Sequence, residues 1–441
     1  MTVPIFGDDD GDPRMNFDLK SPEFWDPQAT RQELLRVFDV CHGCRVCETY
    51  CPSFVDLFRF VDDNFGNVDS LSEEQIGQVV RECYQCKLCY TVCPYVPPHE
   101  WDIDFPRMLL RAHFVEAKKR RPTLTARLVD RMFGDTDLVG NLSSLAAPLA
   151  NWANQNPKIR ERMEKYLGIH RDRLLPTFHS ETFAKWFAKR PRIRPSEKTE
   201  GTEKVALFYT CLINYNEPAI GKATVAVLER NKIDCIVPDQ QCCGLPFLDT
   251  GQVDRAMKKI EANVATLSKA VGQGYKIVVP SASCSYMLKL DYPRFLQTPD
   301  ATLVAENTYD VSEYLVKLHQ AGKLDLNFQQ NPGKIRYHQP CHLKAQNIGF
   351  KAQELLSLIP GAEVKRMQCC SGHDGSWSVK KENFEASMKV GKPLFKFMKA
   401  EGSCTVTDCP LSAIQIQQAN GQKPVHPIEV LARAYGLEAP K

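Results

Sequence analysis

The sequence predicts a multidomain α+β protein with a helical amino-terminal domain that carries two groups of cysteines, a helical middle segment and a duplicated α/β region. Three observations support this prediction. A short run of four cysteines occurs twice near the amino end. The stretch that follows has helical periodicity, and beyond a polar linker short apolar segments alternate with helical ones, as in α/β units. Within that last region, cysteines recur twice in the same order, which indicates an internal duplication.

Length and composition limit the classes of function. The 441 residues are enough for about three domains. With 43% hydrophobic and 25% charged residues the chain is typical of a globular protein, and a net charge of +3 gives no case for a nucleic-acid partner. The first residues lack the pattern of a secretory signal and no run of 18 apolar residues occurs, so we expect a cytoplasmic chain whose eighteen cysteines stay reduced.

The amino-terminal part divides into an arm and a helical domain. Residues 1–26 are acidic and predict a mobile or loosely packed arm, and residues 27–120 form the first domain. Asp26 precedes a proline, so a capped helix should lead the chain to Cys41. Ser72 with Gln75 is a capping-box signal, which makes the connector between the two cysteine runs helical.

The middle segment, residues 121–200, continues a helical pattern that extends from about 105 to 190. Residues 156–194 hold eleven Lys or Arg against four acids. That basic run is either a solvated helical face or a docking surface for a partner or an anionic membrane, which allows peripheral contact with the cytoplasmic membrane. The polar stretch 195–204 predicts a linker. The helical pattern places Met108, Leu109, Leu110 and Phe114 on one stripe, with later apolar residues at Leu138, Leu142, Leu145 and Leu149.

The two α/β modules are predicted at 201–325 and 326–441. Strands are expected at Val205 to Tyr209, Ile233 to Val237, Ile277 to Val279, Ile335 to His338, Val364 to Met367 and Thr405 to Thr407. Helices are expected near 218–230, 252–270, 351–358, 380–400 and 427–435.

The two cysteine runs carry the strongest functional signal. Each has three cysteines at spacings of three residues and a fourth before proline, and in such runs the fourth thiolate ligates the neighbouring [4Fe-4S] cluster. The sequence therefore predicts two clusters in a domain that resembles a helical two-cluster ferredoxin. Zinc is the alternative, but these runs are unlike the usual zinc spacing. The predicted ligands are Cys41, Cys44, Cys47 and Cys93 for the first cluster and Cys83, Cys86, Cys89 and Cys51 for the second.

Each module has one cysteine after its first strand, a double cysteine in a loop, and one cysteine after a later strand. Parallel strands end at one edge of a sheet, so four thiolates could gather there around one further cluster in each module. The alternative is that these are buried, reduced thiols of a duplicated fold. The cysteines are Cys211, Cys242, Cys243 and Cys284 in the first module and Cys341, Cys369, Cys370 and Cys409 in the second.

With these motifs the chain resembles the heterodisulfide reductase-related iron-sulfur oxidoreductases, or CCG-domain proteins, which include iron-sulfur subunits of anaerobic glycerol-3-phosphate dehydrogenase and of glycolate and lactate oxidation. The resemblance implies that a complete module binds a noncubane [4Fe-4S] cluster with five cysteines. Here Met287 and Ser412 stand at the fifth positions, so both modules are one thiolate short, and Ser412 or Cys404 could supply a fifth ligand in the second.

The resemblance implies an electron-transfer subunit that passes electrons from a flavoprotein dehydrogenase, of glycerol-3-phosphate, glycolate or lactate type, towards quinone or another acceptor. A heterodisulfide reductase-like enzyme acting on a disulfide or thiol, an electron donor to a rubrerythrin-like protein of peroxide defence, and a non-redox docking module are the alternatives. No dinucleotide fingerprint or P-loop occurs, so we expect no flavin or nicotinamide on this chain.

Overall fold

The computed structural model describes residues 17–120, 123–190, 203–399 and 401–437. They fall into two compact units. The first extends to Thr123 and includes Gly251–Val253, and the second contains 124–250 and 254–441. Most of the predicted acidic arm, residues 1–16, lies outside the described residues. The predicted domain boundaries stay predictions, although the middle segment is grouped here with the α/β modules.

The first unit is helical, as the sequence predicts. Asp26 accepts a hydrogen bond from the N–H of Ala29 and begins the first helix, while Ser72 and Gln75 form the predicted capping box. Short 3₁₀ turns lie at Glu23–Trp25 and Val68–Ser70. The helices are α1 (Pro27–Cys44), α2 (Pro52–Asp63), α3 (Glu73–Glu82) and α4 (Phe105–Lys119).

The helices of this unit enclose an aromatic core. Phe54 and Phe105 stack with ring centroids 4.3 Å apart, and the predicted apolar residues of α4, including Met108 and Phe114, are buried. Residues 17–26 do not fit the prediction of a loosely packed arm, because Phe24 is only 1% exposed and its backbone oxygen accepts a hydrogen bond from Arg111. This core holds α1, α2 and α3 at fixed distances from one another.

The middle segment begins the second unit. It is not helical throughout, because residues 168–182 lie outside helices. Among the described residues, no helix is both long and apolar enough to span a membrane. The helices are α5 (Leu124–Gly134), α6 (Thr136–Leu145), α7 (Ala147–Gln155), α8 (Pro157–Leu167) and α9 (Phe183–Lys189).

The tertiary structure adds two details to this segment. The later apolar residues are exposed, since Leu142, Leu145 and Leu149 keep 59%, 76% and 63% of their surface accessible. Conversely, Arg160 and Arg173 of the basic run are buried and donate to backbone carbonyls and to Gln415, respectively. Helical periodicity could not separate these cases, because it shows which residues share a face and not whether that face meets another element. The end of the basic run and most of the predicted linker lie outside the described residues.

Each α/β module has a parallel sheet whose central strand is the first of its module. The sheet orders are β2-β1-β3-β4 and β6-β5-β7, so the first three strands of both modules follow one topology. All six predicted strands are present, and β4 was missed. The strands are β1 (Lys204–Leu207), β2 (Asp234–Ile236), β3 (Lys276–Val279), β4 (Thr308–Asp310), β5 (Lys334–Gln339), β6 (Glu363–Gln368) and β7 (Cys404–Thr407).

Helices flank both sheets. Five helices lie at the predicted positions, whereas the helices at Pro299–Glu306, Val311–Gln320 and Pro410–Asn420 were not predicted. A 3₁₀ turn lies at Trp377–Val379 and a π-helical turn at Met287–Asp291. The helices are α10 (Cys211–Tyr215), α11 (Pro218–Arg230), α12 (Leu245–Asp249), α13 (Val253–Gly272), α14 (Ala282–Tyr286), α15 (Tyr292–Leu296), α16 (Pro299–Glu306), α17 (Val311–Gln320), α18 (Cys341–Ala345), α19 (Lys351–Leu356), α20 (Phe384–Met398), α21 (Pro410–Asn420) and α22 (Pro427–Ala434).

The two modules share one hydrophobic core. Val205 of β1 and Ile335 of β5 belong to the same buried cluster, and α22 of the second module packs on α11 of the first. Phe183 of α9 joins this core as well. The carboxyl end of each sheet is therefore held in a fixed position relative to the other.

Candidate metal centres

The two cysteine runs of the first unit interlock. The thiols of Cys93, Cys47 and Cys44 lie close enough to Cys41 to raise its pKa, after burial, which is the largest cause. Cys93, the last cysteine of the second run, thus lies with the first run. The first unit therefore brings together the four cysteines that the sequence assigns to the first cluster.

Cys51, the last cysteine of the first run, lies with the second. Burial raises the pKa of Cys89 well above its usual value, and the nearby thiols of Cys83 and Cys51 raise it further. Burial raises the pKa of the Tyr50 hydroxyl, and the nearby thiols of Cys89 and Cys86 raise it further. The four cysteines predicted for the second cluster therefore also lie together.

Local structure explains this exchange. Helix α1 continues to Cys44, so the first run begins on a helix, whereas α3 ends at Glu82 and leaves the second run in a loop. Cys51 is the N-cap of α2 and Pro52 occupies the first turn, where a proline fits without loss of a hydrogen bond. The proline turns the chain away from its own run, which directs the fourth thiol to the other group.

The thiols fit the donor set of an iron-sulfur cluster. Burial, with the neighbouring thiols of Cys93 and Cys44, raises the pKa of Cys47 to about 12. Buried thiols grouped in this way lose their protons when cationic iron binds them. Grouped cysteine thiols are the donor set of [4Fe-4S] clusters, although within the described ranges no three His, Cys, Asp or Glu side chains are arranged to hold a single metal ion.

The two groups of the first unit are neighbours. The Sγ of Cys47 lies 3.9 Å from the backbone oxygen of Cys89, and the thiol of Cys47 helps to raise the pKa of Cys89. The ring of Tyr50 lies beside both groups, because Cys47 on one side and Cys89 on the other raise its pKa after burial. The first and second groups thus meet without an intervening element.

In the first module the four predicted cysteines converge at the carboxyl ends of β1 and β3. The Sγ atoms of Cys242 and Cys211 lie 3.9 Å apart, and those of Cys284 and Cys243 lie 3.4 Å apart. Hydrogen bonds with Cys211 and Cys243 hold the pKa of Cys242 well below its usual value, whereas Cys211 and Cys243 have raised pKa values. The positive φ of Gly244 allows the loop to turn directly after the double cysteine.

Two charged residues at this site were missed by the sequence analysis. Asp137 on α6 accepts a hydrogen bond from the N–H of Cys242 at 2.9 Å and pairs with the ammonium of Lys259 at 2.5 Å. Burial and the nearby Cys242 raise the pKa of Asp137. No local signal could have identified this contact, because Asp137 and Cys242 are 105 positions apart. The middle segment thus supports the first module.

The second module brings together three of its four predicted cysteines. A hydrogen bond with Cys370 raises the pKa of Cys341 well above its usual value, and Cys409 is close enough to raise it further. Cys369 has a different environment, since its side chain packs against the apolar cluster that contains Leu394 and Ile416. Burial raises the pKa of Cys369 to about 12, with Cys370 as the second cause. A ligand role for Cys369 stays a prediction.

The candidate fifth positions differ between the modules. Met287 is fully buried, and the hydroxyl of Ser412 donates to the Oγ of Ser371 at 3.0 Å. Ser412 also hydrogen-bonds to Cys409 and lowers its pKa, against the larger effect of burial. Cys404 lies at the start of β7 near Arg433, so it does not share this position.

The cysteine groups of the two modules flank one interface. The Nδ1 of His342, which follows Cys341, lies 2.9 Å from the Oγ of Ser283, which precedes Cys284. His342 also stacks on Tyr286, with ring centroids 5.2 Å apart. The duplicated fold therefore places the first-module and second-module cysteines on either side of a short contact between α14 and α18.

Two interlocked cysteine runs in a helical unit, followed by two cysteine-bearing parallel sheets, define the class of iron-sulfur oxidoreductase proteins. Comparisons with known proteins agree. A model of the citrate utilization protein B Fer4-like domain matches residues 34–129. A model of the cysteine-rich domain CCG matches residues 205–289 and 335–417.

Individual relatives span much of the chain. It is 31% identical over 323 residues to the C subunit of anaerobic glycerol-3-phosphate dehydrogenase from Escherichia coli strain K12, covering 72% of this chain and 80% of the relative. It is 30% identical over 237 residues to the B subunit of fumarate reductase (CoM/CoB) from Methanothermobacter marburgensis, covering 52% and 44%. It is 32% identical over 187 residues to lactate utilization protein A of Bacillus pumilus, covering 40% and 75%.

The chain belongs to the heterodisulfide reductase-related iron-sulfur oxidoreductases, the family with cysteine-rich CCG domains that includes the C subunit of anaerobic glycerol-3-phosphate dehydrogenase.

Proposed function

We propose that the chain is an electron-transfer subunit that takes electrons from a flavoprotein dehydrogenase and delivers them towards quinone or another acceptor. The exchange of Cys51 and Cys93 between the two cysteine runs carries this proposal, because it holds two clusters side by side. The names of the relatives favour a dehydrogenase of glycerol-3-phosphate or lactate type, and the family resemblance adds the glycolate type. The flavin belongs to a separate polypeptide, because the sequence lacks a dinucleotide fingerprint.

The residues of this chain hold, shield and orient the clusters. A [4Fe-4S] cluster stores one electron at a time. The core around Phe54, Phe58 and Phe105 packs beside the cysteines and keeps water away from one side of both groups. Because the change in charge on reduction is spread over a whole cluster and its ligands, a rigid, partly desolvated site needs little rearrangement when an electron arrives. The neighbouring positions of Cys47 and Cys89 give the electron a short path.

Iron and sulfide analysis of the anaerobically purified full chain tests the proposal. We expect at least about eight iron atoms per chain, the content of two [4Fe-4S] clusters in the first unit, and paramagnetic signals after reduction with dithionite. A colourless protein, or one that contains zinc alone, would refute the proposal. Co-purification of the native protein with a flavin-containing dehydrogenase is expected, and recovery with a diiron protein would instead support the rubrerythrin alternative.

We further propose that the first α/β module binds a cluster through Cys211, Cys242, Cys243 and Cys284, because their thiols converge. The second module offers Cys341, Cys370 and Cys409, with Cys369 as a predicted fourth ligand. Iron in excess of the first unit's content would support occupancy, and its loss in a Cys243→Ala variant would locate it. Since no thiolate stands at either fifth position, we propose electron transfer rather than disulfide cleavage for these modules.

We propose a cytoplasmic location with peripheral attachment to the membrane through α6 and α7. Leu145, Leu149 and Trp152 on these helices are exposed by 76%, 63% and 54%. The next helix, α8, carries exposed basic residues that include Lys158 and Arg162. Apolar side chains beside basic ones suit the interface of an anionic bilayer. Delivery of electrons to a quinone would require such proximity.

A further inference from the structure

The two cysteine runs differ at equivalent positions between their ligands. The residue before the second cysteine is Gly43 in the first run and Gln85 in the second, and the residue after it is Arg45 or Lys87. Both Arg45 and Lys87 have positive φ values, 55° and 63°. The two clusters therefore have the same cysteine spacing but different neighbouring charges.

In the second run the two positions form a hydrogen-bonded relay. The ammonium of Lys87 donates to the Oε1 of Gln85 at 2.6 Å, and the Nε2 of Gln85 donates to the Sγ of Cys83 at 3.4 Å and to the backbone oxygen of Pro106 at 2.8 Å. Gln85 and Lys87 are each only 8% exposed. A positive charge thus lies one amide group away from a sulfur of the second group, in a region largely closed to water.

Tyr95 hydrogen-bonds to Cys44 in the first group, but the first run has no amide-linked cation that matches the relay of Gln85 and Lys87. Gly43 has no side chain that could reach a cysteine. The guanidinium of Arg45 donates to the carboxylate of Asp62, and its side chain keeps 35% of its surface exposed. A second cation near this run, Arg36, is paired with Glu33. Carboxylate neighbours and solvent both weaken the effect of a positive charge on a site.

Hydrogen bonds to sulfur and nearby charge set the reduction potential of an iron-sulfur cluster. A buried cation stabilises the extra negative charge of the reduced form, and an amide polarised by an ammonium is a stronger donor to sulfur. The buried carboxylate of Asp104 does not distinguish the two groups, because it raises the pKa of Cys89 in one and of Cys93 in the other. It is also paired with Arg107.

We propose that Lys87, acting through Gln85 on Cys83, gives the cluster of the second group a higher reduction potential than the cluster of the first group. This inference rests on the proposed function. Lys87 and Gln85 are positioning residues that bind no substrate. With this difference in potential, a bound first cluster would be the electron donor and a bound second cluster the acceptor. The first would be oxidised as the second is reduced, and the upstream flavoprotein would supply the next electron.

The test is an anaerobic redox titration of the full chain, followed by paramagnetic resonance, for the wild type and a Lys87→Met variant. The variant keeps an unbranched stem of similar length without the charge. We expect the higher of the two potentials to fall, so that at a fixed ambient potential the ratio of reduced to oxidised cluster drops about tenfold, or 59 mV for one electron. The lower potential should not move.

Arg45→Met is the matched control at the equivalent position of the first run. It should leave the higher potential unchanged, because Arg45 is exposed and paired with Asp62. Gln85→Leu breaks the relay without removing the ammonium and should lower the same potential as Lys87→Met. If Lys87→Met binds less iron than the wild type, the potentials of Gln85→Leu test the inference in its place.

Three results would overturn the inference: unchanged potentials in both second-run variants, movement of the lower potential alone, or an equal effect of Arg45→Met on the higher potential. Absence of clusters from the wild-type chain would instead refute the proposed function, so the two failures are distinguishable by iron content.

Discussion

Cys235 and Cys404 are the two cysteines that belong to none of the four groups, and both have a packing role. Cys235 on β2 is 5% exposed within the core that the modules share, and Cys404 packs against the same core. Cys235 fits no ligand spacing in the sequence, which agrees with its place in the core. The sequence analysis considered Cys404 as a ligand, since spacing alone does not show that Cys404 and Cys409 lie at opposite ends of a strand.

Cys44→Ser should remove or convert one cluster of the first unit. We expect the iron content to fall by one to four atoms per chain, as for a [4Fe-4S] site, with slower reduction by a donor and intact circular dichroism from the second unit. Cys235→Ala is the control, because a buried thiol outside the groups should cost stability and no iron. Equal iron contents in wild type and Cys44→Ser would contradict the ligand assignment.

His426 gives the second unit a specific dependence on pH. The side chain of His426 caps α22, because its Nδ1 accepts a hydrogen bond from the N–H of Ile428 at 3.2 Å. Burial lowers the pKa of His426 from 6.5 to about 3. The unfolded chain therefore binds a proton below pH 6.5 that the folded chain rejects, so stability falls as the pH decreases from about 6.5 towards 3. By pH 5 this residue should cost about 2 kcal/mol.

His426→Asn should remove that dependence, because asparagine is also an effective cap and does not titrate. The difference in unfolding free energy between pH 7.5 and pH 5, from urea denaturation, should shrink by about 2 kcal/mol. His179→Asn, at an exposed histidine, is the control and should keep the wild-type difference. The same pH dependence in wild type and His426→Asn would show that His426 does not contribute.

At the scale of elements, strong local signals predicted structure well. The capping box at Ser72 and the proline at position 27 begin the helices that the sequence assigns to them. Strand β4 was missed because its three residues, Thr308–Asp310, include no alternating apolar pattern. The helices α10, α14 and α18 were missed as well, since five residues are too few for a periodic signal. Helix α21, which follows Cys409, was missed although it has eleven residues.

The loop after the second double cysteine depends on Gly372. This residue has φ +78°, and an added Cβ would overlap the backbone oxygen of Ser387, whose hydroxyl donates to the Gly372 oxygen at 2.6 Å. Gly372→Ala should therefore lower the unfolding free energy by the cost of the backbone conformation, about 1–2 kcal/mol, and by a further overpacking cost of about 1–3 kcal/mol.

Gly402→Ala measures the cost of the backbone conformation without the overpacking cost. Gly402 has a similar φ of +68°, but nothing lies within 4 Å of an added Cβ. Denaturant unfolding of both variants should show the larger loss in Gly372→Ala. Equal losses would mean that the loop moves aside without cost.

At the scale of the whole molecule, the exposed leucines of the middle segment form the surface proposed for membrane attachment. We expect the wild-type chain to sediment with vesicles that contain phosphatidylglycerol. A Leu145→Glu/Leu149→Glu variant should bind at least about tenfold more weakly, because burial of each leucine is worth about 1.5–3 kcal/mol. Leu326→Glu, at another exposed leucine, is the control and should bind like the wild type. Unchanged binding by the double variant would exclude α6 and α7 as the attachment surface.

The sequence by itself determined the class of fold, the duplication and the exchange of Cys51 and Cys93 between runs. These follow from short-range information: residue spacing, caps, strand patterns and a proline after the fourth cysteine. The repeated order of cysteines was enough to identify two modules, and their matching strand order shows the same duplication in the structure.

Only the tertiary structure decided which apolar stripe is covered, which arginines of the basic run are buried, and which charges reach the cysteines. Asp137 is hydrogen-bonded to Cys242, and Arg173 to Gln415, although the residues of each pair are far apart in the sequence. Lys87 and Arg45 occupy equivalent positions, yet one is buried against Gln85 and the other faces Asp62. Burial and pairing depend on elements distant along the chain, and no local pattern records which of them will pack together.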